Sequence, residues 1–105
     1  MNIQVTARHF HASTELQDNI NGKVKGLETF HHGITDVLVV LDAQKERVRH
    51  VELRVNVVEK TLSATAEEEN MHDAIEAAFA KMERQLKKEN EKSHSHRAPA
   101  VADLV

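Results

Sequence analysis

Histidines and acidic residues are the side chains of this 105-residue chain that could hold a metal ion or transfer a proton. Two H-x-H pairs occur, His9 with His11 and His94 with His96. Residues i and i+2 share one face of a strand, but a zinc site needs three or four ligands in a supported geometry. No nearby carboxylate completes either pair. We therefore predict surface histidines and no metal site.

Catalytic motifs are missing from the sequence. It has no cysteine, no G-x-S-x-G motif and only three glycines, so neither a thiol nucleophile nor a glycine-rich phosphate loop is available. Glu67, Glu68 and Glu69 are consecutive and share one environment, whereas an acid/base pair needs carboxyl groups in different environments. We expect neither an enzyme nor a cofactor.

Positive charge is concentrated near the carboxyl end, although the formal net charge is −3. The segment from residue 81 to residue 97 has six cations against three glutamates. This pattern predicts either a solvated helix face or a surface for a negatively charged partner such as nucleic acid. All three aromatic residues are phenylalanine, and Phe30 and Phe79 are expected in the core. Contacts to phosphates and recognition by shape are therefore favoured over base stacking.

The basic residues belong to a predicted helix from Asn70 to about Lys92, ending near Ser93. Its apolar positions recur every three or four residues and indicate one buried face: Met71, Ile75, Ala78, Phe79, Met82 and Leu86. Roughly opposite are the cations Lys81, Arg84, Lys88 and Lys92. Asn70 is the expected N-cap, accepting from the N–H of Asp73.

Four alternating segments and a second helix precede it. We predict strands over residues 2–8, 34–42, 47–58 and 62–67, and a helix from the N-cap Ser13 to Phe30. Gly22 and Gly26 lie within that helix and are interpreted as points of close packing. The expected fold is a two-layer α+β domain of order β-α-β-β-β-α, with both helices on one face of a four-stranded sheet. The first two strands should be parallel and the last three an antiparallel meander.

The predicted domain covers residues 1–92, and residues 93–105 read as a disordered tail. No apolar run approaches the roughly 20 residues of a membrane span, and the chain opens with a strand pattern rather than a secretory signal. We therefore expect no membrane contact and a cytoplasmic location.

Several segments together resemble the ribosome hibernation promoting factor and ribosome-associated inhibitor family in its short form. They are the opening MNIQVTAR, Ser13 with Leu16, Lys23 with Leu27 and Glu28, DVLVVLD, SATAE and above all NMHDAIEAAFAKMERQLKK. The resemblance implies a fold similar to double-stranded RNA-binding domains. It also implies binding in the decoding channel of the small ribosomal subunit, which would exclude messenger and transfer RNA during stationary phase or stress.

The resemblance assigns ribosomal RNA contacts to basic positions of the two helices. Lys23, Lys81, Arg84, Lys88 and Lys92 match family positions, and Lys25 and Lys87 are added from their placement in this chain. The expected partner is the small subunit and its RNA, with no small-molecule substrate and a monomer off the ribosome. The sequence departs from the family at His72, where tyrosine is usual, and at Gly26, where a basic residue is common.

A protein-interaction module is the alternative reading. In that case the open polar face of the sheet would recruit a polypeptide, and His50, Arg54 and Asn56 would matter most.

Overall fold

The computed structural model describes the backbone of residues 1–102 and the side chains of residues 1–91. Its elements are β1 (Asn2–Arg8), α1 (Thr14–Leu27), β2 (Ile34–Lys45), β3 (Val48–Val57), β4 (Lys60–Glu68) and α2 (Met71–Ala102). The predicted order β-α-β-β-β-α is confirmed.

The four strands form one sheet in the order β1-β2-β3-β4. β1 and β2 run parallel, while β2–β3 and β3–β4 are antiparallel. The parallel pair requires a crossover, and α1 supplies it. The predicted strand pairing is therefore confirmed.

One face of this sheet carries the core. Alternate strand residues stand opposite one another across it, as Val37, Val55 and Leu62 do. These positions form a single buried cluster with Ile20 of α1 and Met82 of α2, both fully buried. Both helices therefore cover the same face, as predicted, and the other face stays open.

Side-chain caps begin both helices where the sequence predicts them. The Ser13 hydroxyl accepts from the Leu16 N–H at 3.1 Å, and the Asn70 side-chain oxygen accepts from the Asp73 N–H at 2.8 Å. Each contact satisfies a backbone donor that has no partner within the helix.

Element ends differ from the predictions at α1 and β2. α1 stops at Leu27 because Thr29 and Phe30 bond to carbonyls three residues back, a tighter turn than the α-helix. β2 continues to Lys45, so the turn to β3 contains only Glu46 and Arg47, the latter at φ 59°. That positive φ falls in the left-handed region, which short turns between strands often use.

α2 also extends beyond its predicted end near Ser93, because its helical backbone continues to Ala102. Propagating an existing helix costs little, and the chain has no glycine after Gly33 to stop it. The side chains of the tail, and residues 103–105 altogether, lie outside the described residues. The domain boundary at residue 92 and the character of the tail stay predictions.

The interpretation of Gly22 and Gly26 as points of close packing is wrong. A Cβ at either position would meet no atom within 4 Å outside its own helix backbone. Both glycines therefore leave open space on the surface of α1. Within the part of the chain that the structure describes, no helix is long and apolar enough to cross a membrane.

Candidate nucleic-acid interface

The outward face of α2 presents Arg84 and Lys88. The buried face of this helix lies on the sheet, so these two residues project away from it. Both are exposed, and neither forms a hydrogen bond or ion pair with any of residues 1–91. They are therefore available to an anionic partner.

On the side of α2 next to β4, side chains cover the free edge of the sheet. The Lys81 ammonium donates to the Thr65 carbonyl at 2.7 Å, and the Gln85 amide donates to the Ser63 carbonyl at 2.6 Å. These carbonyls face away from β3, where an uncovered edge would invite another strand. Lys81 thus binds its own sheet in this structure.

On the side next to α1, two cations are paired with acids. Lys23 of α1 forms an ion pair with Glu76 of α2. That hydrogen bond holds the pKa of the Glu76 carboxyl below its ordinary value. Lys87 lies 3.3 Å from Glu83, and its ammonium is 5.0 Å from the centre of the Phe30 ring. These contacts connect the two helices.

The seven predicted RNA-binding residues therefore fall into three groups. Unengaged within residues 1–91 are Lys25, Arg84 and Lys88, whereas engaged in the fold are Lys23, Lys81 and Lys87. The side chain of Lys92 lies outside the described residues. RNA binding by all seven stays a prediction.

The histidine pairs are not brought together around a metal. His9 Nδ1 lies 2.9 Å from Asp42, and this hydrogen bond lowers the pKa of the Asp42 carboxyl. Among the residues whose side chains are described, no group of three or more histidines and acids could hold a metal ion. His94 and His96 fall outside that range.

The open sheet face carries the three residues of the alternative reading. Arg54 bonds to Glu52 at 3.0 and 3.2 Å, and the Asn56 oxygen accepts from Thr61 at 2.8 Å. His50 is 3.8 Å from a carboxylate oxygen of Glu67. Polypeptide binding at this face also stays a prediction.

A cleft between α1 and α2 was missed from the sequence. Phe30, expected in the core, is only partly buried and lines this cleft with Gly26 and Ala80. The available signal was the glycine inside a predicted helix. Its interpretation depended on what lies opposite, which periodicity does not give.

The family model described as "Sigma 54 modulation protein / S30EA ribosomal protein" matches residues 3–94. The chain is 32% identical over 95 residues to a ribosome hibernation promoting factor of Pseudomonas putida, covering 90% of this chain and 92% of that protein. A ribosome hibernation promoting factor of Klebsiella oxytoca is 30% identical over 97 residues, covering 91% of this chain and all of that protein. A ribosomal subunit interface protein of Coxiella burnetii has the same fold, with a TM-score of 0.80 at 22% identity over 87% of this chain and 99% of that one.

Proposed function

Because this chain belongs to the Sigma 54 modulation protein / S30EA ribosomal protein family, we propose that it is a ribosome hibernation factor that inhibits translation. Curated relatives that it matches along nearly their whole length are named ribosome hibernation promoting factors. The role is one of binding, so it requires no cofactor, metal or small-molecule substrate. The protein would act in the cytoplasm during stationary phase or stress and be monomeric off the ribosome.

The proposed binding site is the decoding channel of the small ribosomal subunit. A two-layer domain with one basic helix face can fill a channel lined by RNA phosphates, excluding messenger and transfer RNA by its volume. Lysine ammonium groups would contact phosphates as point charges, and the planar fork of Arg84 can donate to two phosphate oxygens. Inhibition is then steric and reversible.

The observation that carries this proposal is the state of Arg84 and Lys88. Both are exposed cations without a partner among residues 1–91, although the chain as a whole is acidic. Acidic neighbours on the α1 side of the helix, Glu76 and Glu83, are each paired with a lysine. The outward face therefore keeps a positive charge that its neighbours do not neutralise.

Competition with transfer RNA tests the occlusion mechanism. Small subunits programmed with a short messenger RNA are incubated with the protein, and binding of labelled initiator transfer RNA is then measured on filters. We expect transfer RNA binding to fall in proportion to bound protein. Saturating protein that leaves transfer RNA binding unchanged would refute occlusion even if the protein binds the subunit. The double variant Arg84→Gln/Lys88→Gln should restore transfer RNA binding, whereas Arg54→Gln on the opposite face should not.

A further inference from the structure

A cleft of about 340 Å³ opens between the C-terminal end of α1 and the middle of α2. Leu27 and Phe30 line it from α1, and Phe79 and Ala80 line it from α2. Leu27 and Phe79 are almost fully buried and form an apolar floor, while Phe30 and Ala80 are accessible. The volume is at the lower end of the range of about 300–1,000 Å³ that small-molecule sites occupy. The cleft therefore suits one small planar group.

Gly26 keeps this cleft open. It lines the cleft from α1, and nothing stands within 4 Å of the position that a Cβ would take. Glycine inside a helix costs about 1 kcal/mol relative to alanine, and no close approach within the fold accounts for it here. Gly22 lies one turn earlier with the same open space but does not line the cleft. The two positions thus differ in their relation to the cleft and resemble each other in their local room.

The rim of the cleft carries both cations and carboxylates. Glu76 and Lys23 stand at one part of it, and Glu83 at another. Lys87 is fixed beside the rim by Glu83 at 3.3 Å and by the Phe30 ring at 5.0 Å. Carboxylates accept hydrogen bonds and ammonium groups donate them. A ligand with apolar faces, amino donors at its edge and an attached anion would match floor and rim together.

We infer that the cleft receives one unpaired nucleobase of the RNA that the outward face of α2 binds, an inference that rests on the proposed function. The faces of a base can pack against Phe30 and Ala80, and an exocyclic amino group can donate to Glu83. The attached phosphate would then lie near Lys87. Adenine, cytosine and guanine have the amino group, and uracil does not.

The position of the cleft connects it to the RNA surface. Arg84 stands one helical turn beyond Ala80, so both lie on the same side of α2. An RNA backbone held by Arg84 therefore passes the mouth of the cleft. This neighbourhood favours a base of the bound RNA over an apolar peptide, because the surrounding cations attract phosphates.

Filling the cleft tests the inference. Gly26→Leu and Ala80→Leu each put a side chain into the cleft, from opposite walls, and Gly22→Leu adds the same side chain outside it. Affinity for isolated small subunits is measured for the three variants and the parent protein, with circular dichroism to confirm the fold. We expect the two cleft variants to bind about tenfold more weakly, within the range for loss of one stacked base, and Gly22→Leu to bind normally.

Chemical probing distinguishes an inserted base from a contact at the surface. Dimethyl sulfate and kethoxal are applied to small subunits saturated with each protein. One ribosomal adenine, cytosine or guanine should be protected by the parent protein and by Gly22→Leu, and reactive with Gly26→Leu.

Equal affinity of Gly26→Leu and the parent protein would overturn the inference and leave the proposed function intact. Equal weakening by Gly22→Leu would also overturn it, because the loss would then reflect general crowding of α1. If the parent protein does not bind small subunits at all, the proposed function fails, and the cleft assignment fails with it.

Discussion

Neutralising Arg84 and Lys88 should change the salt dependence of ribosome binding in a countable way. Each cation that contacts an RNA phosphate releases counterions, so the logarithm of the binding constant falls with the logarithm of salt concentration by about 0.7–0.9 per contact. Arg84→Gln and Lys88→Gln should each reduce the slope by that amount, and the double variant by about 1.4–1.8.

The structure also limits the slope of the unmodified protein. Lys25, Arg84 and Lys88 are unengaged within residues 1–91, and Lys92 could add one contact. Three or four contacts correspond to a slope of about −2 to −4, whereas all seven predicted cations would give about −5 to −6. The lower magnitude follows if Lys23 and Lys81 keep their intramolecular bonds in the complex.

Fluorescence anisotropy of the labelled protein, titrated with small subunits between about 50 and 200 mM salt, measures these slopes. Arg54→Gln is the matched control, because it removes an arginine from the opposite face of the sheet. A slope unchanged by the double variant, or reduced equally by Arg54→Gln, would refute the assignment of the RNA surface to α2.

Two further predictions concern contacts of α2 within the fold. Glu76→Gln should remove a pH-dependent part of the stability: because Lys23 lowers the pKa of Glu76, the ion pair contributes above the ordinary glutamate pKa, and its contribution is lost as pH falls through the lowered value. Urea unfolding should show parent and variant converging in acid and differing by less than about 1 kcal/mol at neutral pH, as for an exposed pair; a difference that grows in acid would contradict this reasoning. Replacing Lys81 and Gln85 together by alanine should uncover the β4 edge and increase self-association in sedimentation velocity runs, whereas unchanged sedimentation would mean that these side chains do not protect it.

Periodicity in the sequence was sufficient for the fold. The alternation of Val51, Leu53 and Val55 predicts the face of β3 that is buried, and Ser13 and Asn70 predict the starts of both helices. These signals are local, because burial and capping depend on spacing along one element. The end of α2 was less predictable, because nothing in the sequence marks a clear stop before Ala102.

The state of the basic residues could not be predicted in the same way. Spacing placed Lys81 and Lys88 together on one side of α2, but only Lys81 reaches a carbonyl of β4. Lys23 and Glu76 are separated by 53 positions and meet because α1 and α2 pack side by side. Such contacts depend on how two elements pack, and a single sequence does not contain that distance. The space beside Gly26 escaped prediction for the same reason.

Co-sedimentation of the purified protein with isolated small and large ribosomal subunits at low salt tests the central claim most directly. We predict that the protein sediments with the small subunit, does so in a saturable manner, and stays in the supernatant with the large subunit. Absence from the small-subunit pellet even at low salt, or equal binding to both subunits, would contradict the account.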